Sequence, residues 1–599
     1  MKQTANLAVA ILITTLACHA GAETQDDVLL SALEDEMSRS LEELQLENEP
    51  KPYFVSYTVT EVSSTTATST LGGQLSSNSD RSRMLSVVVR VGSPELDNTN
   101  FSSMSGGFDL GGILGGGPPF PLTDDYDEIR RVVWLATDSA YKSAVSNLSG
   151  KKAALEQQNI EDRPNDFSEE EAFTYSSSDH FPAEDQELLA DIAKQLSSVL
   201  KGNADIQDSS TTVSSVLSRR IYMDSQGNQH DLELGVCSAV TKAKTQTTEG
   251  VPIRRASQAY ARNCSDLAQQ DLAMAVEEMA QNLVAMKSAE TLDSYTGPVL
   301  FEHQAAAQLV AQALSGRLAD TPKPISDAAG FNPFASMENP FQNRIDSRVF
   351  PRSMSVINDP TVKQFNGKAL LGSYDVDSEG MPSRRTEIIS NGILKALLST
   401  RAPTKSSKST TGSNRGIGGP VPGNLFVESD DGVSADELRS ELMMLAEENG
   451  QEYALVVRRI MDVGELDFND MDTMMQLAQG LMGGNVAILP TVETLKVYPD
   501  GTEVPVLPVS ISEFVDAHYR DIVASSEERQ PIDIALSPGG NMMGMLGGML
   551  GGGGMGGLAT MQQSFVSVVT PALLFEELTL RSATGSKLRP PLIAHPLSD

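Results

Sequence analysis

The chain has 599 residues, enough for roughly two to four domains, and with 40% hydrophobic and 21% charged side chains it can bury a sizeable core. Eighty Asp and Glu against 45 Lys and Arg give a formal net charge of −35. So acidic a chain argues against nucleic acid and anionic membrane surfaces as partners, since both require a cationic footprint.

Residues 1–22 read as a cleavable secretory signal peptide. Lys2 supplies the positive start, Leu7 to Ile13 the apolar core, and Ala20, Gly21 and Ala22 the small residues of a cleavage site. The apolar run is short of the ~20 residues that span a bilayer, and no later stretch approaches a span without charges, so no stable membrane span is expected. The mature chain is expected to begin near Glu23, in the periplasm or outside the cell. An uncleaved anchor is one alternative. Lipidation at Cys18 is another, although Thr15 stands where a lipoprotein signal carries a large aliphatic residue. Loss of the leader leaves Cys237 and Cys264, which an oxidising compartment allows to pair as a disulfide. Lacking C-x-x-C spacing, they are not expected to bind metal.

In chain order, residues 27–46 carry an apolar stripe (Leu29, Leu30, Leu33, Met37, Leu41, Leu44) that predicts a helix. β-branched and aromatic runs at 53–62 and 84–91 predict strands. The Gly/Pro-rich stretch 102–122 reads as an insertion. Helices are expected over about 125–157 and 182–200, strands near 215–223 and 231–245 joined by a turn at Asp224–Gly227, and one helix over 265–286. Beyond Thr296 the pattern changes to short β-like runs, among them 369–374, 386–390, 453–460, 493–498 and 567–570, separated by Gly, Pro, Asp and Asn. Ser434 and Glu437 form a capping box opening a helix, and 539–557 is a Gly/Met-rich loop. The expected fold class is α+β: an N-terminal α/β domain over 23–290, then an antiparallel β-rich C-terminal domain over 291–599.

Several segments of the second half resemble, in order, the TldD/PmbA family of metallopeptidase-related proteins. They are Tyr295-Thr-Gly-Pro-Val-Leu-Phe301, Asp375-Val-Asp-Ser-Glu-Gly-Met-Pro382, Ile393 to Arg401, Ser409-Thr-Thr-Gly-Ser-Asn-Arg415, Asn424 to Glu428, Asp500-Gly-Thr-Glu503 and Pro571 to Leu578. In the first half, Asp224-Ser-Gln-Gly227 and Glu249-Gly250 are similar to the family's first domain. The resemblance implies the TldD/PmbA-like arrangement of domains, a dimer, and, in active members, zinc held by an H-E-x-x-x-H helix with a C-terminal cysteine. Such a site needs two imidazoles for the metal, a glutamate to take the proton of its water, and an open position for substrate.

The matching stretch here is Val299-Leu-Phe-Glu-His-Gln-Ala-Ala-Ala-Gln-Leu309. Aligned without a gap, Glu302 takes the first histidine's place, His303 the glutamate's and Ala307 the second histidine's. Shifted by one, His303 comes first, with Gln304 and Gln308 replacing the other two. No cysteine follows Cys264, and His180, His230, His518 and His595 share no ligand spacing with His303. Nor is there a G-x-S-x-G elbow or a phosphate-binding loop. The sequence therefore expects no cofactor of its own, although related active members use zinc. Its first reading is a non-catalytic subunit or scaffold that takes extended peptides as an added strand, as a homodimer or paired with a zinc-bearing homologue. An active peptidase subunit completing a composite site with such a partner, and an envelope structural or interaction protein, are the alternatives.

Overall fold

The computed structural model describes residues 25–102, 120–177, 181, 185–327, 339–416, 419–462, 465, 488–512, 514–536, 564–583, 587–589, 591, 593 and 596. The signal peptide with Cys18, most of the 102–122 insertion, the 539–557 loop, His180 and His595 lie outside the described residues.

The first half is built on long antiparallel strands. Strands β1 (Pro52–Thr70), β2 (Gly73–Ser93), β3 (Asp208–Asp224), β4 (Gln229–Gln246) and β5 (Pro252–Ala261) lie in the order β2-β1-β3-β4-β5. Their Val, Ile and Thr content suits a pleated surface. Helices α1 (Gln25–Glu43) and α2 (Tyr126–Gln158) cover one end, burying Leu33, Ile129, Val133 and Leu148 against Val55, Tyr57 and Val89. Asp125 caps α2 by accepting the Glu128 N–H, and Asn159 closes it at φ 51°. Helix α3 (Gln186–Ser198) packs on the far end of β1 and β3.

The expected single helix over 265–286 is broken. A short turn, Cys264–Leu267, is followed by α4 (Leu272–Ala285), which Asp271 caps through the Met274 N–H. Cys264 is joined to Cys237 of β4 in a buried disulfide with a Cα–Cα distance of 5.1 Å, so the chain is held to the sheet before α4 can start.

The second half holds two sheets. In one, β6 (Ser294–Phe301), β10 (Ala454–Ile460), β11 (Thr491–Val497), β12 (Val509–Ile511) and β15 (Leu573–Ser582) close on themselves in the order β10-β6-β15-β12-β11-β10; only β6 and β10 run parallel. In the other, β7 (Met354–Asn358), β8 (Thr386–Ser390), β9 (Asn424–Ser429), β13 (Gln530–Leu536) and β14 (Ser564–Thr570) lie in the order β8-β7-β9-β14-β13, with β9 and β14 parallel. Helix α5 (His303–Leu309) sits between the two sheets within the largest core. Helix α6 (Ala435–Glu448), with its capping box formed by Ser434 and Glu437, covers the outer face of the first of them. The run 369–374 pairs only at Lys368–Ala369 and then turns: the Leu371 and Gly372 N–H groups donate to the Asp533 and Ser567 side chains, and the Ser373 N–H to the Leu370 carbonyl.

The halves meet over a dense polar junction. Arg401 is fully buried. Its guanidinium reaches Asp224 at 3.4 Å, the Gln226 side chain, and the Ser168 carbonyl at 2.9 Å, and it stacks 4.0 Å from the Phe167 ring centre. Around it, Arg220 donates to Ser378 Oγ at 3.0 Å, Arg262 to the Leu371 and Ser373 carbonyls, and Tyr175 Oη to Asp375 at 2.8 Å. Arg401→Met would leave Asp224 buried without its cation, so we expect a loss of roughly 3–5 kcal/mol. Denaturant unfolding checks this, and a midpoint equal to that of the unaltered protein would contradict it.

Candidate functional site

The resemblance directs attention to the start of α5, and each residue there has a structural occupation. Glu302 accepts from Arg439 at 2.9 Å and from Arg458 at 3.1 Å. The same two arginines hold Glu503 at 2.7 and 2.9 Å, giving a half-exposed ring of four charges. Burial acts against the Glu503 carboxylate, yet the Arg439 hydrogen bond and the arginine charges keep it below its ordinary range. His303 places Nε2 3.2 Å from the Glu528 carbonyl oxygen. Ala307 is a core methyl, 0% exposed. Gln308, also buried, accepts the Ile460 N–H at 2.8 Å and so ties α5 to β10. This donor set does not fit a zinc ion: one carboxylate is held by two arginines, one imidazole faces a carbonyl, and the remaining positions carry a methyl and an amide that is already bonded. Among the described residues no three His, Cys, Asp or Glu side chains group as metal ligands.

Among the described residues, the histidines outside α5 form no metal-ligand group. His518 accepts the Val515 N–H at 3.0 Å through Nδ1. His230 is buried on the first sheet, stacked 5.0 Å from the Tyr222 ring.

Immediately beside α5 is a cleft of about 380 Å³. One wall is β5 of the first half with residues of α4 behind it. Across from it are Ile532–Ile534 of β13, with Lys368 beside them, and Gln304 and Gln308 of α5; Arg459, Asp462 and Glu493 also line the cleft. Both bordering strands are at sheet edges. Among the described residues β5 pairs only with β4, and β13 only with β14. The cleft is thus bordered by two edge strands, the kind of strand that accepts an extended chain, with the Ala256 carbonyl taken by Arg459 and the Pro531 carbonyl by Lys368.

Its polar lining includes buried ionisable groups. Arg459 donates to the Ala256 carbonyl and to Glu465. Burial pushes Glu465 up to about 7 against the pull of Arg459, and raises Asp462 as well. No sequence reading marked Arg255, Gln258, Arg459 or Asp462. The stretch 254–262 mixes Arg, Ser and Gln with alanines in no strict alternation, a composition that an edge strand and a solvated strand share.

Residues 294–486 match the model of the PmbA/TldA metallopeptidase C-terminal domain. That stretch is similar to the PmbA/TldA family's C-terminal domain. A metalloprotease from Archaeoglobus fulgidus is 29% identical over 104 residues, 17% of this chain; the aligned part spans 23% of that relative's length. Similar solved structures include a proposed modulator of a DNA gyrase from Thermotoga maritima, at a TM-score of 0.52 with 14% identity over 88% of this chain and 96% of that one. TldE from Thermococcus kodakarensis has the same TM-score, with 11% identity over 92% and 100%. A proposed modulator of DNA gyrase from Bacteroides thetaiotaomicron follows at 0.52, with 10% identity over 94% and 100%. At these identities the structures establish a shared fold: the whole chain is α+β and built as the TldD/PmbA proteins are.

His230 yields a pH prediction. Burial, and then the charge of Arg220, push its imidazole down to about 2, while an unfolded imidazole titrates near 6.5. The unfolded chain therefore takes up the proton first, and stability that is present above pH 6.5 is lost as pH falls towards 2. By pH 5 that loss is about 2 kcal/mol. His230→Phe should lose less unfolding midpoint between pH 7 and pH 5 than the unaltered protein; equal losses would contradict the assignment.

Proposed function

We propose that this chain is an exported, non-catalytic member of the TldD/PmbA family that binds extended peptides in the cleft between β5 and β13. The observation that carries the reading is the meeting of two edge strands at one cleft beside a helix whose zinc positions hold Glu302, His303, Ala307 and Gln308. A peptide laid along such an edge gains backbone hydrogen bonds, which tolerate many side-chain sequences. The bordering residues come from both halves, so the cleft is as rigid as the junction that holds them.

Export rests on the features of residues 1–22, and an oxidising compartment accords with the Cys237–Cys264 bridge. In this reading the partner is a second copy of the chain or a homologue that carries an intact zinc helix, and the present chain brings no cofactor.

Two measurements on the purified mature protein test this. Elemental analysis should find zinc well below one per chain, and a labelled peptide of alternating Ala and Val should bind and be recovered uncut. One zinc per chain together with cleavage products would overturn the non-catalytic reading. Failure of every extended peptide to bind would overturn the peptide-binding one.

A further inference from the structure

Arg255 lies on β5 and is one of the residues that line the cleft. The residue is 3% exposed, and its guanidinium makes one hydrogen bond, from Nη1 to the Arg254 carbonyl at 3.0 Å. Its Nε and Nη2 have no partner among the described residues. These two nitrogens form the side edge of the guanidinium fork, where two parallel N–H groups match the two oxygens of a carboxylate. A buried donor left without an acceptor is costly, and a buried cation without an anion more so.

The acids of the cleft do not meet this need. Glu278, Asp462, Glu493 and Asp533 all line it, and none hydrogen-bonds Arg255. Asp533 instead accepts the Leu371 N–H and the Ser567 hydroxyl, and Glu465 is taken by Arg459. Burial, followed by the positive charge of Arg459, pushes Arg255 down to about 10 against the pull of the Glu493 and Glu465 charges, neither of which hydrogen-bonds its Nε or Nη2. Beside it, Gln258 Nε2, Arg459 Nε and Asp462 Oδ1 are also buried without partners among the described residues. The Gln258 amide donor and the Asp462 Oδ1 acceptor are what a peptide group, with its one C=O and one N–H, would use.

Building on the peptide-binding reading above, we propose that the cleft anchors its peptide ligand by a carboxylate held bidentately on the Nε and Nη2 edge of Arg255. The carboxylate is either the peptide's C-terminus or an Asp or Glu side chain near its end, and the class of ligand is thereby narrowed to acidic-ended peptides.

The test uses N-terminally labelled Ala-Val-Ala-Val-Ala-Val in three forms: free acid, C-terminal amide, and amide with the last residue replaced by Glu. Anisotropy titrations are made with the mature protein and with Arg255→Met and Arg255→Lys, each checked for an intact thermal transition. The free acid should bind at least roughly tenfold more tightly than the plain amide, the scale of hydrogen bonds to a charged group. Arg255→Met should abolish that difference between the two peptides. Arg255→Lys, which keeps the charge and loses the fork, should retain only part of it. Recovery of affinity by the Glu amide assigns the anchor to side chains as well, and no recovery assigns it to the C-terminus; either supports the proposal. If acid and amide bind the unaltered protein equally, the carboxylate anchor is wrong while peptide binding stands. If no peptide binds, N-acetylvaline separates the two ideas. Thermal protection of the unaltered protein, absent in Arg255→Met, keeps the carboxylate site and rejects the extended peptide; no protection rejects both.

Discussion

The arrangement of this protein depends on Arg401. A fully buried guanidinium is tolerated only when its charge and donors are matched, and Arg401 finds its partners across the junction: Asp224 and Gln226 in the turn between β3 and β4, the Ser168 carbonyl, and the face of Phe167. Asp224 is itself held by the Gln226 and Asn228 N–H groups, the Tyr222 hydroxyl and the Asn228 amide. The first sheet's turn and the second half's loop therefore share one set of hydrogen bonds, and neither can shift alone. The cleft between β5 and β13 exists because this junction sets the two sheets against one another.

The segments on which the family resemblance was read acquire a physical meaning in that light. Asp377 accepts the Glu379, Met381 and Asn414 N–H groups and so folds the 375–382 loop onto the 409–415 stretch. Gly380 lies against Tyr222 and Asn228 with φ +77°, and Gly412, at φ +66°, packs on the Pro382 carbonyl where no side chain fits. Arg415 donates to the Pro422 and Phe565 carbonyls. Glu503 completes the charged ring around Glu302. These motifs build the junction and brace α5, so they can persist in a chain whose α5 carries no zinc-binding set.

Much of the fold was legible where short-range chemistry decides it. The capping box at Ser434 and Glu437, the Asp125 cap and the β-branched runs gave elements in the right places, and the turn at Asp224–Gly227 lies where it was expected. The misses have tertiary causes. Strands β1 and β2 run on through Ser- and Thr-rich ends that carry no apolar alternation, because their backbones pair with one another residue by residue. The 265–286 helix is interrupted by the disulfide and the Asp271 cap, and 370–374 turns because its N–H groups bond to the Asp533 and Ser567 side chains and the Leu370 carbonyl. The candidate site was half legible. The degenerate α5 motif was visible in the sequence, whereas the wall contributed by β5 and the buried Arg255 depend on which strand ends at a sheet edge, a property of topology alone.

The central claim is that an extended chain seats between the open edges of β5 and β13. Hydrogen–deuterium exchange of the mature protein, with and without a saturating alternating Ala/Val peptide, addresses it directly. The account predicts slowed exchange confined to amides of 252–261 and 530–536. Protection elsewhere, or none at these two strands while the peptide is bound, would contradict it.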